Sequence, residues 1–327
     1  MSDLLQKCTV CGAILDEEDL FCANCGTEAP PPETRQKKQT TLVSKHNFQC
    51  DGCGASMSYD ASAQALRCPF CGGEKLTEQK DAKVLAPNRV VPFSISQRQA
   101  LAALEQWLPS SFWRPDDLAR QAQVTKLTQV FVPYWVFSAQ TFTNWTADSS
   151  QVPWGARGAW LPLAGEHRGE YSGLLIGASS VLTPEETKTL CPFDLSAGQP
   201  PGQVDLDNVV FEQFRVQRKY ARPLAQQGLE QLETEACRPY VPGNCRNLHV
   251  NVRVENLAAE PVLLPLWIMA YHYRDQVYRF LVNGQTGRCT GSAPTSYTKI
   301  ALVVGGVLLA IIALFFCLGI IGAASRR

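Results

Sequence analysis

Eight of the chain's thirteen cysteines stand in four Cys-x-x-Cys knuckles within the first 71 residues. They are Cys8/Cys11, Cys22/Cys25, Cys50/Cys53 and Cys68/Cys71. Ten residues separate Cys11 from Cys22 and fourteen separate Cys53 from Cys68, so the knuckles group as two pairs. A two-residue gap lets both thiolates of a knuckle reach one tetrahedral metal, and two knuckles complete a four-cysteine set. Glycine follows each second cysteine, at Gly12, Gly26, Gly54 and Gly72, which suits a turn needing a positive φ. Knuckles in regular series fit a disulfide framework or a redox dithiol poorly. The expectation is two tandem zinc ribbons with two Zn2+ ions per chain. A closed four-cysteine set has no open coordination position, so its metal folds the module and catalyses nothing. Each ribbon is too small to hold itself together by apolar burial alone, and both are read as rigid recognition heads.

The remaining chemistry-bearing residues form no pattern. His46, His167, His249 and His272 are scattered, and no HExxH pair occurs. Cys191, Cys237, Cys245, Cys289 and Cys317 show no ligand spacing and are read as inert apolar residues. Neither GxxxxGK[ST] nor GxGxxG is present. His272-Tyr273-Arg274-Asp275 matches a kinase catalytic loop by letters alone, without a glycine-rich loop. No enzyme is expected.

Zinc ribbons often hold nucleic acid, but the charge here opposes it. In residues 1–29, Asp3, Asp16, Glu17, Glu18, Asp19 and Glu28 stand against Lys7, six acids to one base. In residues 46–76, Asp51, Asp60 and Glu74 stand against Arg67 and Lys75. A phosphate-binding face needs clustered cations. Only the RQKK run starting at Arg35 offers them, as a solvated spacer or a contact for anionic lipid headgroups.

Around the knuckles the chain divides into a ribbon at 1–29, a Pro-rich basic linker at 30–45, a second ribbon at 46–76 and a polar connection at 77–87. An α+β body follows at 88–298, then a terminal apolar segment at 299–322 and a tail at 323–327. Net charge is zero and 45% of residues are apolar, as for an ordinary globular core. In the body, Ser96 caps a helix with Ala100, Leu101, Leu104, Trp107 and Leu108 on one face. A second helix is expected over Asp116 to Leu127. Thr183-Pro184-Glu185-Glu186 reads as a helix start. Val209 to Ala236 reads as mostly helical, interrupted at Pro223. Leu248 to Leu257 alternates as a strand. Leu263 to Arg274 and Val277 to Asn283 form a hairpin, with turn chemistry at Asn283-Gly284 and Thr286-Gly287.

VFVPYWVFSA (130–139) aligns with VLLPLWIMAY (262–271). Both set Pro and Trp two apart in an apolar strand preceded by helical sequence. This suggests two related lobes; coincidence in β-rich sequence is the other reading. Proline inside a strand implies an edge or a bulge.

The run IALVVGGVLLAIIALFFCLGII, Ile300 to Ile321, carries no charge. At about 1.5 Å per residue it would extend about 33 Å, enough to cross a hydrocarbon core. Gly306 and Ala310 make a small-xxx-small pair that could seat another helix. Residues 1–20 hold four consecutive acids and no apolar core, unlike a signal peptide. The expectation is a C-terminal single-pass anchor with the bulk of the chain cytoplasmic, consistent with thiolate-rich sites in a reducing compartment. The terminal Arg326-Arg327 runs against the positive-inside tendency.

KCTVCGAILDEEDLFCANCGTE resembles the short zinc ribbon at the termini of many bacterial membrane-associated proteins. FQCDGCGASMSYDASAQALRCPFCGG resembles a transcription-factor-B-type ribbon. With VVPFSISQRQALAALEQWL, VFVPYWVF, LPLWIMAYHYRDQVYRFLVNGQTGRCTGSAP and the terminal apolar run, the chain resembles a bacterial membrane-anchored zinc-ribbon family. That family is often labelled primosomal helicase-like and is associated with phage-shock and SPFH envelope-stress operons. The segment RKYARPLAQQGLEQLETEACRPY departs from that pattern, and no helicase motif exists in the chain. The resemblance implies a non-enzymatic scaffold that recruits protein partners, among them phage-shock or SPFH-type proteins, to the inner membrane face. The alternative is a membrane-tethered nucleic-acid-binding or regulatory factor that uses the ribbons.

Overall fold

The computed structural model describes residues 6–12, 14–15, 21–22, 25, 27, 47–58, 67–79, 85–204, 206, 209–274 and 276–324, with backbone alone at 6–7, 14–15, 123–126 and 313–324. The 30–45 linker, all six acids of the first 29 residues, His46 and the terminal arginines lie outside these residues. Two four-cysteine groups near the N-terminus precede a domain built on a mixed, sheet-rich core.

Strands β1 (Gln6–Lys7) and β2 (Ile14–Leu15) form their own two-stranded sheet. Strands β3 (Asn47–Cys50), β4 (Ser56–Ser58) and β5 (Leu76–Glu78) frame the second pair of knuckles. β5 occupies what reads in sequence as the start of a connection. After β6 (Arg89–Val90) come α1 (Gln97–Trp107), a short α2 (Leu118–Gln121), β7 (Gln123–Ser149) and β8 (Leu161–Gly177). Then follow α3 (Pro184–Leu190), β9 (Val210–Glu212), α4 (Arg218–Cys237), β10 (Cys245–Tyr273), β11 (Gln276–Asn283), β12 (Cys289–Gly291) and α5 (Tyr297–Ala324). The expected hairpin is β10–β11, and Asn283 closes the next turn, its carbonyl accepting from Gly287 N–H at 3.0 Å.

Three expectations are corrected. Residues 116–127 hold only the short α2, because β7 begins at Gln123 and pairs with β10 as far as His272; β-ladder pairing overrides local helical propensity. Val210–Glu212 is a strand between Met57 and Val130, so the helix starts at Arg218 and runs unbroken through Pro223. Pro223 lies near the helix start, where one lost backbone bond is offset by burial of Ala221, Ala225 and Leu229 below it. Pro133 and Pro265 lie in the central β7–β10 pair, not at an edge. Their carbonyls face outward, Pro133 to Ala178 N–H and Pro265 to Gly284 N–H, each at 2.9 Å. The missing N–H groups therefore point away from the central pair, at the places where β8 and β11 stop pairing.

These prolines belong to a pseudo-twofold arrangement. Val132 pairs with Leu264 at its centre. On one side β9 runs parallel to β7 through Phe211 and Phe131; on the other β6 runs parallel to β10 through Val90 and Leu263. Trp135 Nε1 donates to Val216 O and Trp267 Nε1 to Ile95 O, both at 2.8 Å. Each acceptor immediately precedes a helix N-cap, Gln217 for α4 and Ser96 for α1. Both helices bury residues four and eight places past the cap, Ala100 and Leu104 in α1 and Ala221 and Ala225 in α4. The two Pro-x-Trp segments are thus structurally equivalent, and each tryptophan anchors the helix of the other half.

α5 is a 28-residue helix. Among the described residues, no helix is long and apolar enough to cross a membrane; the side chains of α5 are described only through Ile312.

Candidate metal centres

Each four-cysteine group gathers around one point. The four sulfurs of Cys8, Cys11, Cys22 and Cys25 lie within 4.8 Å of one another, as do those of Cys50, Cys53, Cys68 and Cys71. Across the knuckles the Sγ–Sγ distances are 3.6 Å for Cys8–Cys25, 3.4 Å for Cys11–Cys22, 3.6 Å for Cys50–Cys71 and 3.5 Å for Cys53–Cys68. A disulfide needs about 2.05 Å, whereas a tetrahedron of thiolates at about 2.3 Å from zinc sets its corners about 3.8 Å apart. The residues fit a four-sulfur metal site, two sites per chain.

Backbone geometry makes the knuckles. Gly12 N–H reaches Cys8 O at 2.9 Å, and Gly54 and Gly72 N–H reach Cys50 and Cys68 O at 2.8 Å. Gly12, Gly54 and Gly72 have φ of 71°, 77° and 73°, the left-handed turn that brings the two sulfurs of a knuckle together. Gly73 is closely packed: a Cβ there would lie a tight 3.3 Å from Cys71 Sγ.

Four thiolates cannot sit side by side unaided. The hydrogen bond between Cys53 and Cys68 holds Cys53 down to about 5, while that bond and burial push Cys68 far up, and burial pushes Cys71 up to about 11. A divalent cation replaces these protons and supplies the missing positive charge.

The second centre is not a separate head. Cys50, Ala55, Met57, Cys68 and Phe70 share one apolar core with Val91, Val130, Val132, Leu264 and Ile268. β4 pairs with β9, placing Met57 beside Glu212 and Ser58 beside Phe211. Gln213 Nε2 donates to Asn47 Oδ1 at 2.8 Å and to Ser58 Oγ at 3.1 Å, and Arg215 Nε donates to Ser56 Oγ at 2.9 Å. Glu212, fully buried, accepts from Ser179 Oγ and Ser180 N–H at 2.9 Å. Burial pushes its carboxyl up to about 7.

One cluster is invisible in the sequence. His167 on β8 and Glu233 and Cys237 on α4 bring three ligand atoms within 4.8 Å of one another. His167 Nδ1 lies 2.7 Å from Glu233 Oε2, and Thr141 Oγ1 donates to Glu233 Oε1. Burial disfavours the charge on Glu233, but hydrogen bonds from Thr141, Tyr171 and His167 together hold its carboxyl below the usual range. The one available signal was the four-residue spacing of Glu233 and Cys237, which puts both on one helix face. Cys191 Sγ donates to Thr187 O at 3.3 Å, and burial pushes the thiols of Cys191 and Cys289 up.

The chain is 25% identical to the uncharacterized protein YdjG of Bacillus subtilis over 329 residues, covering 81% of this chain and 96% of that protein. No family model and no solved structure matches the chain.

Proposed function

We propose that this protein is a non-enzymatic, membrane-anchored zinc-binding scaffold that recruits protein partners to the inner face of the bacterial membrane. The observation that carries the reading is the closure of both four-cysteine groups: four sulfurs fill a tetrahedral ion's coordination shell and leave no position for substrate. The metal in this reading is zinc, the ion that thiolate tetrahedra suit best. The ribbons are of the transcription-factor-B-like kind, and the partners belong to the phage-shock and SPFH class of envelope-stress proteins.

The anchor in this reading is α5. Its 28 residues correspond to about 42 Å of helix, and residues 300–321 are uncharged. Its first turn is tied to the body: Ser296 N–H donates to Trp113 O at 2.7 Å, and Lys299 Nζ donates to Arg114 O at 3.0 Å. Phe112, Trp113 and Tyr297 are exposed around that turn, as aromatic side chains are at a bilayer interface.

The test is crosslinking in intact membranes followed by identification of what is joined to the full chain. Specific crosslinks to membrane-associated proteins, lost when residues 299–327 are removed, support the scaffold. Binding of duplex or single-stranded nucleic acid at physiological salt by the metal-loaded chain would overturn it in favour of a tethered nucleic-acid factor.

A further inference from the structure

The pseudo-twofold accounts for the inner half of the sheet and leaves an extension unexplained. α1 ends at Trp107, whereas α4 continues through Leu229, Glu233 and Cys237, all buried. Beneath that continuation, β7, β8 and β10 run on together, pairing Thr141 with Gly169 and Val254, and Thr143 with His167 and Val252. At the centre of this added layer sits a carboxylate with no exposed surface. Its ion-pair partner is His167, a group with no fixed charge. Buried charge is ordinarily matched by a cation held in place.

We propose that His167, Glu233 and Cys237 form a third metal-binding site, which takes a divalent transition ion. The donors are one imidazole nitrogen, one carboxylate oxygen and one thiolate sulfur, all mutually within 4.8 Å. This mixed set suits Zn2+ and leaves one of four tetrahedral positions for a further ligand, unlike the two closed all-cysteine centres. Glu233 and Cys237 are presented by successive turns of one helix, and His167 comes from the strand below. Thr141 and Tyr171 hold the carboxylate from behind, the kind of outer-shell support that orients metal ligands. Space is reserved for it too: a Cβ at Gly169 would lie 2.4 Å from Glu233 Oε1 and 2.7 Å from Thr141 Oγ1. When the ion enters, the proton between His167 Nδ1 and Glu233 Oε2 and the thiol proton of Cys237 leave to solvent.

The test uses the full chain in detergent, saturated with Zn2+, freed of loose metal by gel filtration and analysed for metal per chain. Three equivalents are expected, one for each group. Cys237→Ser and His167→Ala should each lose one equivalent with an unchanged circular-dichroism spectrum, whereas Cys22→Ser should lose a different one. Two equivalents in the wild type would overturn the proposal, as would a third equivalent that survives both Cys237→Ser and His167→Ala. Should those variants fail to fold, zinc X-ray absorption on the wild type decides. A nitrogen and oxygen contribution in the first shell supports the site, and a shell of sulfur alone excludes it.

Discussion

Cys68 and Cys22 occupy equivalent places in their knuckle pairs but stand in different surroundings. Cys68 lies in the apolar core with Val130, Val132 and Ile268. Cys68→Ser should therefore lose one zinc and destabilise the body by about 4 kcal/mol or more, since it removes a metal and leaves a hydroxyl in the core. Cys22→Ser should lose one zinc and leave the body's denaturation midpoint unchanged. Metal analysis together with urea unfolding followed by tryptophan fluorescence separates the two. Glu212 gives a second residue-scale outcome. Its folded value of about 7 lies above the ordinary 4.5, so the folded state binds more protons between those values. Stability then falls as pH rises through that window and is recovered as pH drops. Glu212→Gln should remove this slope and stabilise the metal-loaded protein by about 2 kcal/mol near pH 8, with no gain below about pH 4.5. All eight metal-ligand candidates were legible, because knuckle spacing is a local signal. Glu212 and the His167–Glu233–Cys237 cluster were not, because Glu212 meets Ser180 32 residues away and Glu233 meets His167 66 residues away along the chain.

Elements here are fixed by partners in the opposite half. Trp135 closes the approach to α4 and Trp267 the approach to α1, with Phe214 and Phe93 against them at centroid distances of 5.4 and 5.5 Å. Replacing either indole by phenylalanine removes one hydrogen bond to a buried carbonyl while keeping most of the apolar volume. Each of Trp135→Phe and Trp267→Phe should cost about 1–2 kcal/mol. The two losses should be similar in size, read as equal shifts in denaturation midpoint. A large inequality would show that the two halves share a sequence pattern without sharing its energetics. The Pro-x-Trp repeat and the helix starts at Ser96 and Thr183 could be read from sequence because each is a short, contiguous pattern. The crossover could not: β6 and β9 are two and three residues long, too short for periodicity to declare a strand. The same brevity hid β9 inside an apparent helix at 209–236. Proline at 133 and 265 misled for the opposite reason. An edge is the ordinary refuge for a residue without an N–H, but a central strand also has such a place wherever its outer neighbour stops pairing.

At the scale of the whole molecule, the metal centres and α5 belong to different parts. The second centre is continuous with the body through β4–β9 and the shared core. A fragment cut at residue 90 would strip β4 from β9, so the second ribbon cannot be tested for partners in isolation from the body. Chelation should instead unfold the second centre and the 88–298 body in one cooperative transition. The other end behaves differently. α5 meets the body at its first turn, through Trp113, Arg114 and Asp116, and the side chains from Ala301 to Ile312 are mostly exposed. In the proposed anchored reading, lipid is what covers these exposed apolar side chains. Deleting residues 299–327 should move the protein from the membrane fraction to the soluble fraction. The truncated chain should keep its zinc content and its unfolding midpoint within about 1 kcal/mol. A truncated chain that stays in the membrane fraction would place the attachment elsewhere, and the exposed Phe112 and Trp113 would be the first residues to substitute in search of it.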